Sequence, residues 1–421
     1  MKTISLPPTF TALLGLFLTL QLAPAETYFS DPAVEASSGD GSANAPWPRL
    51  QTAAKDGKLA KLQGGDTLLL RSGNHGDVRL SGDNASMVTL AAAPGQHPQL
   101  SRLVITQGSN WRVKGLTISP SFSPIPYEGN IVTVAEGGPS RELVLEDCFI
   151  YTVLDFTKWT AADWIKANNG VFLGRHGTHL TLRNNCILNT RFAVSLCATD
   201  SLCEGNLITN FSGDGVRITR DSLTVQYNTV KNCLVGPEQG DDNHDDLLQC
   251  FLFNKGKGTV RNATIRSNIL IGFEDSNQPL KHEPQAIGFF DGPLVDFLVE
   301  KNVILTNHYH GISLYDAIHC KILDNVVKPI SDQKMKPWIL LSTKNVGGSS
   351  GNVVKNNMAS SFNLKADPEV IAANNSPVDD SKFNQRLKEL EQEINDKFGE
   401  FHPVAKLSRL GMRTEGDRTK R

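Results

Sequence analysis

From about residue 66 to residue 375 the chain repeats one short unit: alternating apolar and polar residues, then an asparagine, then a further apolar pair. It reads LTLRNNCIL at 180–188, LCEGNLI at 202–208, LTVQYNTV at 223–230 and ATIRSNIL at 263–270. It returns as FLVEKNVI at 297–304, CKILDNVV at 320–327 and NVVKNNM at 352–358, with LVLEDCFI (143–150) and WRVKGLTI (111–118) as variants. Aligned, the column runs Gly115, Asp147, Asn185, Asn206, Asn228, Asn268, Asn302, Asn325 and Asn357, and its short steps are 21 to 23 residues. A second alternating run precedes each unit: GVFLGR (170–175), FAVSLCA (192–198), GVRIT (215–219), LLQCFLF (247–253), AIGFF (286–290), GISLYD (311–316) and WILLST (338–343). Alternation without a helical period predicts at least two short strands per repeat, with a corner between them.

Repeats of this length cannot bury an apolar face alone; stacked, they can. The pattern predicts an all-β chain, a single right-handed parallel β-helix whose coils lie about 4.8 Å apart, like residues stacking on like. Asparagine suits the corner because it tolerates the left-handed region and bonds nearby backbone, and stacked amides can bond one another as a ladder. The open ends need cover. Trp47 to Leu62 reads as a short helix for the N-terminal end. Phe383, Leu387, Leu390, Ile394 and Phe398 recur at helical spacing and predict an amphipathic helix on the far end. The expected division is a signal peptide at 1–25, the β-helix at 26–375, and the C-terminal helix with a solvated basic tail at 376–421.

Lys2, an apolar run from Thr11 to Leu22 and small residues at Ala23-Pro24-Ala25 carry the signal reading. The run is too short for a membrane span, which needs about 20 residues, so a secreted or periplasmic protein is expected. Charge then narrows the field. With 42 Lys+Arg against 44 Asp+Glu, the formal net charge of −2 excludes a strongly basic nucleic-acid binder. The seven cysteines, Cys148, Cys186, Cys197, Cys203, Cys233, Cys250 and Cys320, have no metal-site spacing and read mostly as small buried apolar residues. Nothing points to a partner chain, and a monomer is favoured.

The corners differ in length. From Asp147 to Gly170, Asn228 to Leu247 and Asn268 to Ala286 the spacing is 23, 19 and 18 residues, against 7 to 9 at the other corners. Stacked corners place these insertions side by side, walling a groove over the preceding strands, and loops on a rigid scaffold are where function concentrates. The groove collects Asp214, Arg217, His244, Asp246, Gln249, Lys281, His282, His308, His310 and Tyr315. Trp159 and Trp164 in the first insertion are suited to stacking on sugar rings. In GPEQGDDNHDD (236–246), Asp241, Asp242 and Asp245 are candidate oxygen ligands for Ca²⁺.

An asparagine-corner coil pattern behind an export signal resembles the pectate-lyase-like superfamily of right-handed parallel β-helix proteins. SSGDGSANAPWPRLQTA (37–53) and GGDTLLLRSGNH (64–75) look like the opening of many such carbohydrate-active enzymes. Arg175-His176-Gly177 resembles the Arg-His-Gly of the alginate lyase and chondroitinase B family, where the arginine sits in the active site; here Thr178 replaces the expected acid. The resemblance implies a polysaccharide lyase, a uronate epimerase or a glycoside hydrolase. A lyase or epimerase on an acidic glycan needs a carboxylate partner and proton carriers. Arg217 fits the first role by type; His244 held by Asp246 fits the base, with Lys281, His310 or Tyr315 as the second carrier. Gln249, Trp159, Trp164, Arg175, Asp214, His282 and His308 would bind substrate. Hydrolysis would instead use two carboxylates from among Asp214, Asp246 and Asp291. A non-catalytic carbohydrate-binding or adhesive β-helix is the third alternative.

Overall fold

The structure is a computed structural model that describes residues 24–35, 38–252, 258–332, 336–344 and 348–399. All but the last two residues of the expected signal peptide (1–25), and the expected basic tail from residue 400, lie outside the described residues.

All seven expected front strands form; coils in the middle of the stack hold three strands, and three later coils add a fourth at Val260–Arg261, Leu294–Val295 and Ala317–Ile318. One coil consists of Val194–Leu196 on a front sheet, Leu202–Glu204 on a back sheet and Leu207–Phe211 on a flank sheet; the next has Val216–Ile218, Thr224–Gln226 and Thr229–Cys233. Strands pair in parallel with their equivalents, Val194 with Val216, Leu202 with Thr224 and Leu207 with Thr229. In the first coils the front and back sheets merge through two long strands, Asp77–Ala92 and Arg102–Lys114. Alternation does what the pattern dictates: Val216 and Ile218 are fully buried while Arg217 between them faces out. The result is a parallel β-helix with one continuous apolar core.

The corner asparagines form the ladder. Asn185, Asn206, Asn228, Asn268, Asn302, Asn325, Asn357 and Asn375 stack, each Nδ2 donating to the next Oδ1 at 2.9–3.1 Å. Each backbone N–H also donates to that same oxygen, as from Asn206 to Asn228 at 3.0 Å. The left-handed residue is not the ladder asparagine but the one before it: Asn184, Tyr227, Ser267, Lys301, Asp324 and Asn356 all have φ between 50° and 58°. Gly115 and Asp147 belong to this left-handed column, one position earlier than the alignment had them. The Cys148 N–H caps the ladder on Asn185 Oδ1.

At the N-terminal end the expected helix is shorter and broken. An α-helix, α1 (Leu50–Lys55), and a 3₁₀ turn at Lys58–Lys61 flank Gly57, which sits at φ 72°. Trp47, Leu50 and Ala53 bury against Leu68 and Leu70 and close the first coil.

The C-terminal helix, Asp380–Phe398, starts at Asp379, whose side chain accepts from the Lys382 N–H. It lies along the flank sheet, not on the end. Its Phe383, Leu390 and Ile394 pack on Ile269, Val303 and Val326, and Phe398 reaches Gly205. The reason lies in the apolar pair after each asparagine. Of Ile269 and Leu270, one enters the core and the other faces out, so the flank carries an apolar stripe that needs cover. Gly205 is required where it is: its φ is +64°, and a Cβ there would stand 2.5 Å from the Phe398 ring.

All seven cysteines are buried, and no two of them are joined by a disulfide. The native protein should leave its thiols unreacted with an aromatic disulfide reagent and release all seven in denaturant. A disulfide-linked peptide in a non-reducing digest would contradict this.

Candidate functional site

The three long corners stack in register. The first carries a short helix, α2 (Ala161–Ile165), fixed by a reciprocal cap between Thr160 and Asp163. Trp164 on α2 packs with Leu234 and Val235 of the second corner, and Leu280 of the third joins them. Arg191 ties first to second, donating to the Ile165 carbonyl at 3.0 Å and to Asp241 Oδ1 at 2.9 Å. Leu234 bridges Lys281 in backbone pairing. The insertions form one wall beside the front sheet.

Behind it lies a buried acidic cluster. Asp214, at the corner before its strand, accepts from Arg217 Nε at 2.6 Å, from the Asp246 N–H at 3.0 Å and from Asn243 at 3.3 Å. Arg217 lies flat over Phe192, 3.4 Å from the ring centre. Asp246, one coil on, is fully buried, and neither of its carboxyl oxygens accepts a hydrogen bond. Its Oδ1 lies where a side chain at Gly288 would begin, 2.0 Å from that Cβ position; Gln285 Oε1, also without a donor, is 2.9 Å from the same point. Asp245 bonds Asn243 at 2.8 Å and has His282 Nε2 at 3.7 Å.

Burial raises the carboxyls of Asp214 and Asp246. Arg217 and two N–H donors work against it on Asp214, whereas Asp246 has no hydrogen bond to help it ionise. The pair therefore holds its protons unequally, and Asp246 is the last to ionise. Burial pushes Asp245 up to about 9.

Further along the groove, His310 Nδ1 accepts from the Trp338 indole N–H at 3.2 Å and contacts Ser313 Oγ at 2.6 Å. His308 Nδ1 accepts from the His310 N–H at 3.0 Å. A protonated imidazole cannot accept there, so both rings are neutral with the proton on Nε2. Burial agrees, holding His308 down to about 3 and His310 to about 4. Tyr315 packs edge-on against Phe290 at 4.9 Å.

The other expected residues disperse. His244 is exposed, and it makes no hydrogen bond to the Asp246 carboxyl, whose oxygens have no hydrogen-bond partner among the described residues. Trp164 is 1% exposed and Trp159 packs edge-on against it at 4.7 Å, so Trp164 is a wall residue, not a platform for a sugar. Lys281 Nζ lies 5.9 Å from the Phe273 ring centre. Arg175 is exposed at the end of its front strand, two coils before Arg217. Gln249 faces out beside Arg217, in register between it and Gly288. His282 stays with Asp245 and Glu238. Of the Ca²⁺ candidates, Asp242 is exposed, while Asp241 and Asp245 stay together: Asn243 donates to both, Arg191 donates to Asp241, and Oδ2 of each is buried without a hydrogen bond. Among the described residues no group of three or more His, Cys, Asp or Glu side chains is arranged to hold a metal ion. Asp291 pairs with Lys344 at 3.0 Å. Sequence reading passed over Arg191, Phe192, Gln285, Phe290 and Trp338. Gln285 and Trp338 were findable, because they are first residues of front strands and thus register partners of Asp246 and His310.

Stacked parallel coils, an asparagine ladder and corner insertions over one sheet define a parallel β-helix fold. Solved structures bear this out as a matter of fold. One described as a glycoside hydrolase matches with a TM-score of 0.56 at 8% identity, over 86% of this chain and 98% of that one. The lacto-N-biosidase of Eubacterium ramulus matches with a TM-score of 0.54 at 12% identity, over 84% and 67%. The A-module of a mannuronan C-5 epimerase from Azotobacter vinelandii matches with a TM-score of 0.52 at 15% identity, over 83% and 96%. Comparison of the sequence with family models and with curated proteins gives no match.

Proposed function

We propose that this protein is an exported carbohydrate-active enzyme that cleaves glycosidic bonds by acid–base catalysis, with Asp246 as the proton donor. The observation that carries the reading is the contrast between two neighbouring carboxyls. Asp246 is buried with both oxygens unpartnered, while Asp214 is hydrogen-bonded by Arg217. Environments that push two titratable groups apart supply an acid and a base at one pH. Glycosidic cleavage needs a protonated acid at the leaving oxygen. Asp246 is fully buried next to Gly288 and Gln285, so this role requires Gln285 to move aside for substrate.

The same contacts weigh against proton abstraction from a uronate. Arg217 is already engaged with Asp214, His244 is not held by the Asp246 carboxyl, and neutral His308 and His310 present N–H donors, not bases, at Nε2. Fold supports the class of substrate: structural neighbours that act on carbohydrates include both hydrolases and an epimerase. No described helix is long and apolar enough to cross a membrane, and export rests on the N-terminal sequence.

Incubation with a panel of neutral and acidic polysaccharides tests the reading. New reducing ends without the ultraviolet absorbance of an unsaturated uronate are expected; that absorbance would replace hydrolase by lyase. Gly288→Ala is the matched variant. Its backbone conformation suits alanine, but the new Cβ would displace Asp246 Oδ1 and press on the Phe290 ring, 2.7 Å away, and on Gln285 Oε1, 2.9 Å away. Turnover should fall at least about tenfold with little change in melting temperature.

A further inference from the structure

Downstream of the acidic cluster the groove floor changes character. Phe290, Tyr315 and Trp338 stand half-buried on three successive coils, with Tyr309 and His310 among them. The rings hold one another edge-to-face: Phe290 with Tyr315 at 4.9 Å, Phe290 with His310 at 4.9 Å, Tyr309 with Trp338 at 5.1 Å. Such contacts fix ring directions before any ligand arrives. Among the described residues the patch brings no unpaired positive charge; Lys336, two residues before Trp338, pairs with Asp332 at 3.0 Å. His308 and His310 are neutral because each Nδ1 accepts an N–H, and Lys344 is neutralised by Asp291. Its free polar groups are donors, the His310 Nε2–H and the Tyr315 hydroxyl.

We infer that Phe290, Tyr315 and Trp338 form a binding subsite for neutral pyranose units of the glycan chain whose linkage lies at Asp246. Aromatic faces suit the C–H face of a pyranose, and neutral donors suit its hydroxyls and ring oxygen. A uronate would lose hydration of its carboxylate here and gain no cation. From Asp246 to Trp338 is three coils, roughly 14 Å along the axis, so the subsite takes units beyond the one being cleaved. This rests on and deepens the hydrolase reading, and it departs from the expectation of an acidic glycan.

The test is an array of neutral oligosaccharides (gluco-, xylo-, manno-, galacto- and chito-series) beside alginate, polygalacturonate and hyaluronan fragments, probed with full-length protein. The Asp246→Asn variant serves as a form that binds without turnover. Binding to one or more neutral series is expected, about tenfold weaker in Trp338→Ala and in Tyr315→Ala. Trp338→Phe, which keeps a ring, should recover most of it, separating stacking from misfolding. Binding confined to uronate fragments, no binding to any neutral series, or neutral binding indifferent to both alanine variants overturns the subsite. Ring-dependent binding with no bond cleavage by the wild type would instead remove the hydrolase reading and leave the subsite standing.

Discussion

Asn268→Ala should be among the most destabilising single substitutions in the chain. Asn268 Oδ1 accepts both the Asn228 N–H and the Asn228 Nδ2, while its own Nδ2 donates to the Val225 carbonyl and to Asn302 Oδ1. Truncation strands the Asn228 N–H and removes the Asn268 amide from the Val225 carbonyl, and it takes one of two partners each from Asn228 Nδ2, which keeps the Cys203 carbonyl, and Asn302 Oδ1, which keeps the Asn268 N–H, all in a fully buried column. Each orphaned buried group costs about 1–3 kcal/mol. The combined loss is several kcal/mol, a large part of what holds an ordinary domain folded, about 5–15 kcal/mol. Asn268→Asp should be as damaging, because it keeps the acceptors but removes both donors and buries a charge. Chemical denaturation measures the effect; a midpoint within experimental error of wild type would show that the ladder contributes nothing net.

Asp246→Asn should move activity and stability in opposite directions. An amide keeps the shape but carries no acidic proton, so turnover should fall by about 10²- to 10⁴-fold. Stability should rise. A carboxyl whose folded pKa is raised favours folding fully below the unfolded value near 4 and loses that contribution as pH climbs toward the folded value. At neutral pH the wild type therefore carries the cost of keeping Asp246 out of water, and asparagine removes it. Asp245, pushed up to about 9, predicts the same trend: Asp245→Asn should gain melting temperature over wild type across the window from about 4 to about 9, and little below it. Melting curves at several pH values check both. An Asp246→Asn protein with wild-type turnover would remove Asp246 from the chemistry.

The scaffold was legible because its rule is one-dimensional. Alternation in GVRIT alone places Val216 and Ile218 inside and Arg217 outside, and repetition of Asn at 21 to 23 residues gives the ladder. In-register corner insertions were legible too, since stacked corners must rise together, and Trp164, Leu234 and Leu280 meet as that requires. What the sequence hid was which polar side chains pair. His244 and Asp246 are two residues apart, yet one faces solvent and the other turns over Gly288 to lie beside Gln285, 39 residues away along the chain. Trp164 looked like a platform because exposure cannot be read from an aromatic in a loop. The resting place of the C-terminal helix was hidden for a related reason: its partner is a stripe of single residues, Ile269, Val303 and Val326, spread over three coils.

A stack of coils in which each touches only its neighbours can fray from either end or melt in patches. The C-terminal helix changes that. Lys328 meets Asp380 near its start and Glu204 meets Lys397 near its finish, so one rigid strut grips windings that are otherwise strangers. Losing any winding beneath it costs the strut its seat on the others, which links their openings into one event. Amide protons under the splint should exchange together, and slower than those of the coils before Cys186.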